Sequence, residues 1–285
     1  MLPLLGFAQS NSNGETPMGG TTTSENEPLE IKRNAQYNLE EIKIRWKKAA
    51  LENCPGVPCV TAPLFTCGTN TINDIDNNTY NTVLIGSQCW TKENLKVTKY
   101  NDNTAIPDES SNFSTWGGLF IGVRASDPSD PSYVQTYGYL YNWFAAKGIT
   151  VAGSTSYKNI CPLGWHVPSD SEWTILIKSI DNTAIDMALT PTPQSTTAGG
   201  NMKLNGAPWN SFSVVSNNST GFSVLPAGQR SSPFMTDVTF RAYFWTSTFN
   251  AGNTSFIRDF NNVFNSVDRN FTTYTQGLSI RCLKD

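Results

Sequence analysis

The 285-residue sequence predicts an α+β fold, and three observations support this prediction. From residue 71 onward, short apolar runs alternate with Gly, Asn, Asp and Pro, a texture typical of many strands joined by loops. An amphipathic pattern over residues 38–53 predicts one helix, and a capped segment that begins at Ser169 predicts another. The length of the chain suits one large domain preceded by an appendage.

The first residues of the chain resemble the end of a secretory signal peptide. A short apolar stretch over residues 1–8 ends in the small residues Gly6 and Ala8, which predicts cleavage after Ala8. No basic segment precedes this stretch, so an ordinary chain terminus is the alternative. Residues 9–37 come next and begin with Ser, Asn, Gly, Thr and Glu almost exclusively, which predicts a flexible polar tail.

Residues 38–53 carry the pattern of an amphipathic helix. Asn38 is a favourable N-cap, and Glu41 stands at the matching capping-box position. A helix of this length is marginal on its own, so its apolar face must pack on the same domain or on a neighbouring subunit. We expect a neighbouring subunit, because the polar tail ahead of the helix is long enough to reach one. The candidate assembly face consists of Leu39, Ile42, Trp46 and Ala49.

A Cys-Pro-Gly sequence at residues 54–56 ends this helix and begins a Cys-rich linker over residues 54–70. The main domain is expected over residues 71–285. Within it, the Asp and Asn side chains of residues 74–78 predict a turn that leads into a strand over residues 80–85. Their Asp-x-Asp-x-Asn spacing also resembles the start of a calcium loop, but the Gly and the distal Glu of that loop are absent.

Two further patterns place elements in the main domain. Ser169 and Glu172 form a Ser-x-x-Glu capping box, which predicts a helix that runs to about Ile180. From Gly221 to the end of the chain, apolar side chains alternate as they do in strands.

The chain contains six cysteines, an even number that favours disulfides in an exported protein: Cys54, Cys59, Cys67, Cys89, Cys161 and Cys282. A zinc site is the competing interpretation. However, the sequence has no CxxC pair, and its only histidine, His166, is not spaced with any cysteine pair as zinc sites require. We therefore predict disulfides, no metal and no cofactor.

Composition limits the partners of the chain. The net charge is -3 and no basic stripe is visible, so the sequence argues against a nucleic-acid partner. No apolar run is long enough to predict a membrane span. Only 15% of residues are charged while 12% are aromatic, which is typical of loop-rich extracellular proteins.

Seven segments in a fixed order resemble the Fibrobacter succinogenes major paralogous domain family, over roughly residues 71–285. They are IGSQCWTKENLK (85–96), YNDNTAIP (100–107), YGYLYNW (137–143), CPLGWHVPSDSEW (161–173), GFSVLPAGQR (221–230), FWTST (244–248) and SIRCLKD (279–285). The resemblance implies an exported module that is often found at the cell surface of Bacteroidetes and Fibrobacteres.

The C-terminal half also resembles, more loosely, the C-type-lectin-like and formylglycine-generating-enzyme-like superfold. This resemblance implies twisted antiparallel strands, one or two helices and long irregular loops that form a binding face. It also implies a disulfide between Cys161 and Cys282, after which Cys89 would pair with Cys54, Cys59 or Cys67. The calcium motif of sugar-binding C-type lectins is missing from the sequence.

The sequence gives little support for catalysis. An enzyme needs a nucleophile, a base and a group that orients the base, but the chain has a single imidazole and cysteines that are expected to be oxidised. We interpret His166 as a packed residue that is hydrogen-bonded to the backbone. Formylglycine-generating chemistry would require a reactive cysteine near the C-terminus, and Cys282, the only candidate, has a structural context.

Candidate ligand contacts come from loops and motif arginines. Trp116 and Trp209 lie in Gly-, Asn- and Pro-rich stretches, which makes them candidates for an exposed binding surface. Arg230 is a third candidate, although Arg230 and Arg281 also suit a structural role in which each arginine pairs with a carboxylate to hold a loop. The acidic stretch over residues 127–130 is interpreted as a solvated turn.

These observations predict a secreted or cell-surface protein without enzymatic activity. The first hypothesis is a structural or adhesive subunit that assembles with copies of itself, for example into a filament, through its N-terminal region. The alternative is a monomeric lectin-like module that binds a carbohydrate or another surface ligand.

Overall fold

The structure is a computed structural model that describes residues 65–112, 115–189, 192–206, 208–210, 216–231 and 234–285. One compact unit spans Phe65–Asp285, so it begins a few residues before the predicted domain start. The expectations for residues 1–53, including the assembly face, and for Cys54 and Cys59 lie outside the described residues.

The described residues confirm an α+β fold that is mostly β. The strands are β1 (Thr71–Asn73), β2 (Thr79–Ile85), β3 (Gln88–Thr91), β4 (Arg124–Ala125), β5 (Leu140–Tyr141), β6 (Trp165–His166), β7 (Gln229–Ser231), β8 (Phe234–Thr236), β9 (Arg241–Phe249), β10 (Thr254–Asn261), β11 (Asp268–Thr273) and β12 (Leu283–Lys284). The α-helices are α1 (Tyr133–Tyr137), α2 (Trp143–Lys147), α3 (Asp170–Ile180) and α4 (Ala198–Met202), with one 3₁₀ helix at Trp116–Gly118. Within this part of the chain, no helix has the length and apolar character needed to cross a membrane.

The strands form two main antiparallel sheets and two small ribbons. One sheet has the strand order β1-β2-β3-β12-β6, and the other has β10 between β9 and β11. The ribbons pair β4 with β5 and β7 with β8. The predicted turn before β2 is confirmed: Asp74 Oδ1 accepts hydrogen bonds from the backbone N–H groups of Asp76 and Asn78.

The C-terminal segment connects these separate sheets. Gly277 bridges to β7, Leu278 to β5 and Ser279 to β9, and Leu283 in β12 pairs with both β3 and β6. Arg281 lies in the middle of this segment and is fully buried. Its guanidinium donates to the backbone oxygens of Thr91, Phe222 and Ser223 and to Asn94 Oδ1. The segment therefore joins the first third of the domain to the last.

Helix α3 begins at the predicted place, and its sequence explains why. The Ser169 side chain accepts a hydrogen bond from the Glu172 backbone, and the Glu172 carboxylate accepts one from the Ser169 backbone, which completes the capping box. Trp173, Leu176 and Ile177 on one face of the helix are buried. Trp173 packs against Trp90 of β3 with ring centroids 4.9 Å apart, so this helix covers the five-stranded sheet with aromatic side chains.

Candidate ligand-binding site

Two disulfides stabilise the domain. Cys161 is bonded to Cys282, as the superfold resemblance implied, and Cys89 is bonded to Cys67, which settles one of the alternatives left open by the sequence. All four cysteines of the described residues are therefore paired. Disulfides of this kind are typical of proteins from oxidising compartments, which agrees with an extracellular location.

The predicted ligand surface at Trp116 and Trp209 is wrong, because both side chains are buried. The indole N–H of Trp116 donates to the Thr275 backbone oxygen at 2.6 Å, and that of Trp209 donates to the Val224 oxygen at 3.1 Å. Each of the two indoles belongs to a cluster of buried apolar side chains. The Gly- and Asn-rich composition thus indicated irregular structure, but it did not indicate whether the tryptophan side chains are exposed.

Arg230 is also buried rather than available to a ligand. Its guanidinium donates to the backbone oxygens of Glu109, Ser110 and Asn112 and lies 5.1 Å from the Trp116 ring centroid. Arg230 therefore holds a loop, as the structural interpretation expected, but it does so through backbone oxygens where that interpretation expected a carboxylate. Arg281 likewise binds backbone oxygens and Asn94 Oδ1.

His166 has different partners from those expected. Its imidazole is about one-third exposed, with Nδ1 2.6 Å from Asp285 Oδ1 and Nε2 3.0 Å from Glu172 Oε1. Both nitrogens face carboxylates instead of backbone groups. The nearby Ser169 hydroxyl donates to Glu172 Oε2. The ring has no nitrogen directed at a hydroxyl or thiol nucleophile in the described residues.

A cleft of about 340 Å³ lies between two loops at the edge of the three-stranded sheet. One loop precedes α4, and the other joins β10 to β11. Backbone hydrogen bonds between Ser195 and Val267 connect the two loops. The cleft is lined by Pro193, Thr196, Phe264, Asn265, Ser266 and Asp268.

Helix α4 supports the floor of this cleft through two glycines. A Cβ atom on Gly199 would lie 2.2 Å from the Ser266 backbone oxygen, and one on Gly200 would lie 2.7 Å from Asn265 Oδ1. Because the distance at Gly199 is to a backbone atom and is too short for any side chain, this glycine allows the β10–β11 loop to lie directly on the helix, and Gly200 leaves room for the Asn265 side chain.

A buried lysine fixes the same loop. Lys203 Nζ donates to the backbone oxygens of Asn261 at 2.9 Å and Phe264 at 2.7 Å. Burial lowers the pKa of Lys203 to about 8. The ammonium group also lies 5.3 Å from the Trp209 ring centroid. These contacts hold the turn that presents the Phe264 side chain, which is 60% exposed.

An arginine pair positions the other side of the cleft. Arg258 and Arg269 stand opposite each other on β10 and β11, and both bind the Asp170 carboxylate at the start of α3. Arg258 Nε also donates to Gln194 Oε1 at 2.7 Å. Since Gln194 lies next to Pro193, this network fixes the first loop against the sheet. Burial raises the pKa of Asp170, but both arginines oppose this effect and the pKa remains below its usual value.

The opposite face of the same strands carries a pair of carboxylates. Asp259 of β10 is directly opposite Asp268 of β11, and only Asp268 lines the cleft. Asp259 is 4% exposed, and its Oδ1 accepts no hydrogen bond within the described residues. Burial raises the pKa of Asp259 to about 7, and the negative charge of Asp268 adds to the increase. Burial likewise raises the pKa of Asp268.

The cleft combines an exposed aromatic ring with hydroxyl, amide and carboxylate groups. Such a combination suits a ligand that has one apolar face and several polar groups. Sequence reasoning missed all six lining residues, because five of them come from two irregular loops and the sixth, Asp268, begins strand β11 directly after one of these loops. The only sequence signals were the adjacent glycines at 199 and 200 and the Arg-Asp dipeptide that begins at Arg258 and recurs in reverse order from Asp268.

Comparison with known proteins identifies a family for the chain but no individual relative. The model of the Fibrobacter succinogenes major domain matches residues 83–284, which covers most of the chain. No curated protein and no solved structure matches the sequence or its fold significantly.

Proposed function

The chain belongs to the Fibrobacter succinogenes major domain family, and we propose that it is an exported, non-enzymatic surface module that binds a saccharide in the cleft beside Asp268. The side chains that line the cleft are the main support for this proposal. The Phe264 ring offers a flat apolar surface, and Thr196, Asn265, Ser266 and Asp268 offer hydrogen-bonding groups around it.

Rigidity supports a binding role. The Phe264 turn is held by Lys203, and the Pro193 loop is held through Gln194 and Arg258. A site that is already ordered avoids much of the conformational entropy cost of binding. The scaffold is then a lectin-like platform, with two disulfides and irregular loops, that presents its ligand site at a sheet edge.

The positions of the acidic groups favour binding over glycoside hydrolysis. Hydrolysis by two carboxylates requires both to flank the scissile bond. Asp268 lines the cleft, but Asp259 is buried one strand further inward and does not line it. His166 offers no alternative, because both of its nitrogens face carboxylates. We therefore assign the chain no catalytic activity.

The test is glycan-array binding of the full chain, with variants of two phenylalanines that are equally exposed. Phe264 is 60% exposed in the cleft, and Phe249 is 59% exposed at the other end of the three-stranded sheet, where it pairs with Ser255. We expect Phe264→Ala to abolish array binding and Phe249→Ala to preserve it. Absence of any bound glycan, or equal loss in both variants, contradicts the proposed site.

Self-assembly through the N-terminal region is the second proposal, and the apolar face of Leu39, Ile42, Trp46 and Ala49 is the observation that favours it. The two proposals are compatible. An adhesive or filament-forming subunit would associate through residues 9–53 and would present the cleft on the domain that begins at Phe65.

A further inference from the structure

We infer that Asn205 is a site of spontaneous deamidation, and that its isoaspartate product loosens the loop between Lys203 and Trp209. This inference is independent of the proposed saccharide binding. It follows from the Asn-Gly pair at residues 205–206, from a backbone N–H group that binds no acceptor among the described residues, and from the closure of the loop on a single carbonyl group.

The local sequence and its exposure meet the first requirement for deamidation. The chain contains two Asn-Gly pairs, and the pair at residues 205–206 lies within the described residues, where both members are exposed. A Cβ atom added to Gly206 would meet no neighbouring atom within 4 Å, so no packing shields this glycine. Asparagine is a thermolabile residue type, and a following glycine leaves the asparagine side chain open to attack because it has no side chain of its own.

The reaction uses the backbone nitrogen of Gly206 as the nucleophile and the side-chain amide of Asn205 as the electrophile. A bond forms between this nitrogen and Asn205 Cγ, the bond between Cγ and Nδ2 breaks, and ammonia leaves with the proton of the attacking nitrogen. The resulting cyclic succinimide then adds one water molecule. Opening at one carbonyl group gives aspartate, and opening at the other gives isoaspartate, in which the main chain runs through Cβ and Cγ.

Hydrogen bonding distinguishes Asn205 from other exposed asparagines. Within the described residues, the Gly206 N–H group donates to no acceptor and the Asn205 side chain has no hydrogen-bond partner. After Asn103, in contrast, the Thr104 N–H group donates to Asp102 Oδ1 at 3.0 Å. A nitrogen held in this way must first lose its hydrogen bond before it can attack, which adds to the barrier.

The loop that contains Asn205 is closed at both ends on one carbonyl group. The Val224 backbone oxygen accepts hydrogen bonds from the Leu204 N–H group at 3.0 Å and from the Trp209 indole N–H group at 3.1 Å. Isoaspartate inserts one extra carbon atom into the main chain between these two donors. We expect the added length to displace one of the donors, because backbone bond lengths and angles are stiff.

This displacement reaches the cleft through Lys203. Leu204 directly follows Lys203, whose ammonium group lies 5.3 Å from the Trp209 ring centroid and donates to the Phe264 backbone oxygen at 2.7 Å. A shift of Leu204 or of Trp209 therefore weakens the contacts that hold the β10–β11 loop. Although Asn205 does not line the cleft, its deamidation loosens the turn that presents Phe264.

The first test is peptide mapping by mass spectrometry after the full chain has been incubated at mildly alkaline pH. We expect the Asn205 peptide to gain the mass difference between water and ammonia and to give two products, one of which isoaspartyl methyltransferase labels. Ammonia loss should be at least about tenfold faster than at Asn103, which corresponds to about 1.4 kcal/mol in the barrier. Asn205→Gln should abolish the modification, because its longer side chain requires a less favourable, larger ring. Equal rates at both asparagines, or no modification at Asn205, overturn the site.

The second test is hydrogen exchange of the isoaspartate form. We expect exchange at least about threefold faster at the Leu204 amide and in residues 261–268 than in the unaltered protein, because local opening becomes easier. Asn205→Asp carries the same charge on an ordinary main chain and should exchange like the unaltered protein. Unchanged exchange in the isoaspartate form overturns the coupling to the cleft. Faster exchange in Asn205→Asp overturns the assignment of the effect to the main chain. None of these outcomes bears on saccharide binding.

Discussion

Asp259 stands directly opposite Asp268 in the register of β10 and β11, and the next residues along these strands, Arg258 and Arg269, form the adjacent pair. Because successive side chains in a strand point to opposite faces, the arginines and the aspartates are separated by the sheet. The arginines meet Asp170, while the aspartates meet each other. One strand pair therefore carries two charge clusters. On one face the arginines bind a carboxylate of opposite charge, and on the other face two carboxylates of like charge are neighbours.

This arrangement predicts that the protein loses stability as the pH rises from 5 to 8. Burial raises the pKa of Asp259 to about 7, so the folded state holds a proton that the unfolded state releases near pH 4. Stability contributed by a raised carboxyl pKa is present at low pH and is lost as the pH rises through the folded value. We expect a loss of roughly 2–3 kcal/mol in the free energy of unfolding, measured by urea denaturation at both pH values.

Asp259→Asn provides the control for this prediction. The variant keeps the size of the side chain and removes the titration, so its stability should change much less over the same pH range. The groups that face Asp259 are Asp268, Tyr243 and Arg241. The pKa of Tyr243 is raised above its usual value by burial, so it does not titrate in this range. An equal pH dependence in the variant and the natural protein would refute the assignment.

A second prediction concerns the relative contribution of the two disulfides. Cys161 and Cys282 are 121 residues apart, whereas Cys67 and Cys89 are 22 apart. In the chain-entropy model, the longer loop gives about 5 kcal/mol and the shorter about 3 kcal/mol. Replacing both members of a pair with alanine should therefore destabilise the protein more for the longer loop. Urea denaturation of the two double variants checks the order, and a reversed order contradicts the model.

A third prediction concerns Lys203, the buried cation beneath the cleft. Lys203→Met retains much of the side-chain volume but removes the donors to the Asn261 and Phe264 backbone oxygens. We expect a loss of about 2–4 kcal/mol in stability, because two buried acceptors lose their charged donor. Hydrogen exchange should accelerate in residues 261–268.

Lys178→Met is the matched control for this experiment. Lys178 pairs with Asp186 on the surface, and both side chains are substantially exposed. Exposed ion pairs contribute little, so this variant should remain within about 1 kcal/mol of the natural protein. Equal effects of the two lysine variants would show that Lys203 does not fix the cleft loop.

The success of the sequence analysis depended on how local each signal was. The capping box at Ser169 and the Asx turn at Asp74 involve residues within four positions of each other, and both formed as predicted. Trp116 and Arg230, in contrast, are buried through contacts with each other and, for Trp116, with Thr275, which lies more than 150 residues away along the chain. No local pattern contains that information.

The cleft could not be predicted for the same reason. Its lining residues are brought together by Arg258, whose guanidinium joins Asp170 and Gln194, and by Lys203. In the sequence, Asp170, Gln194, Lys203 and Arg258 are ordinary polar residues that lie far apart along the chain. Their cooperation depends on the register of β10 with β11, which becomes visible only in the folded chain.

The last prediction is that residues 9–53 drive self-association. The face formed by Leu39, Ile42 and Trp46 is amphipathic but short, and such a helix is marginal in water without a partner. A flexible tail of about 20 residues can span roughly 25 Å, which is enough to reach an adjacent subunit. Replacing all three residues with serine in the full chain should therefore convert an assembly into monomers, measured by multi-angle light scattering. We expect the domain that begins at Phe65 to keep its melting temperature, because its described residues form large buried apolar clusters among themselves. If the unaltered protein is already monomeric at high concentration, the assembly proposal fails, and the saccharide-binding module becomes the sole proposed function.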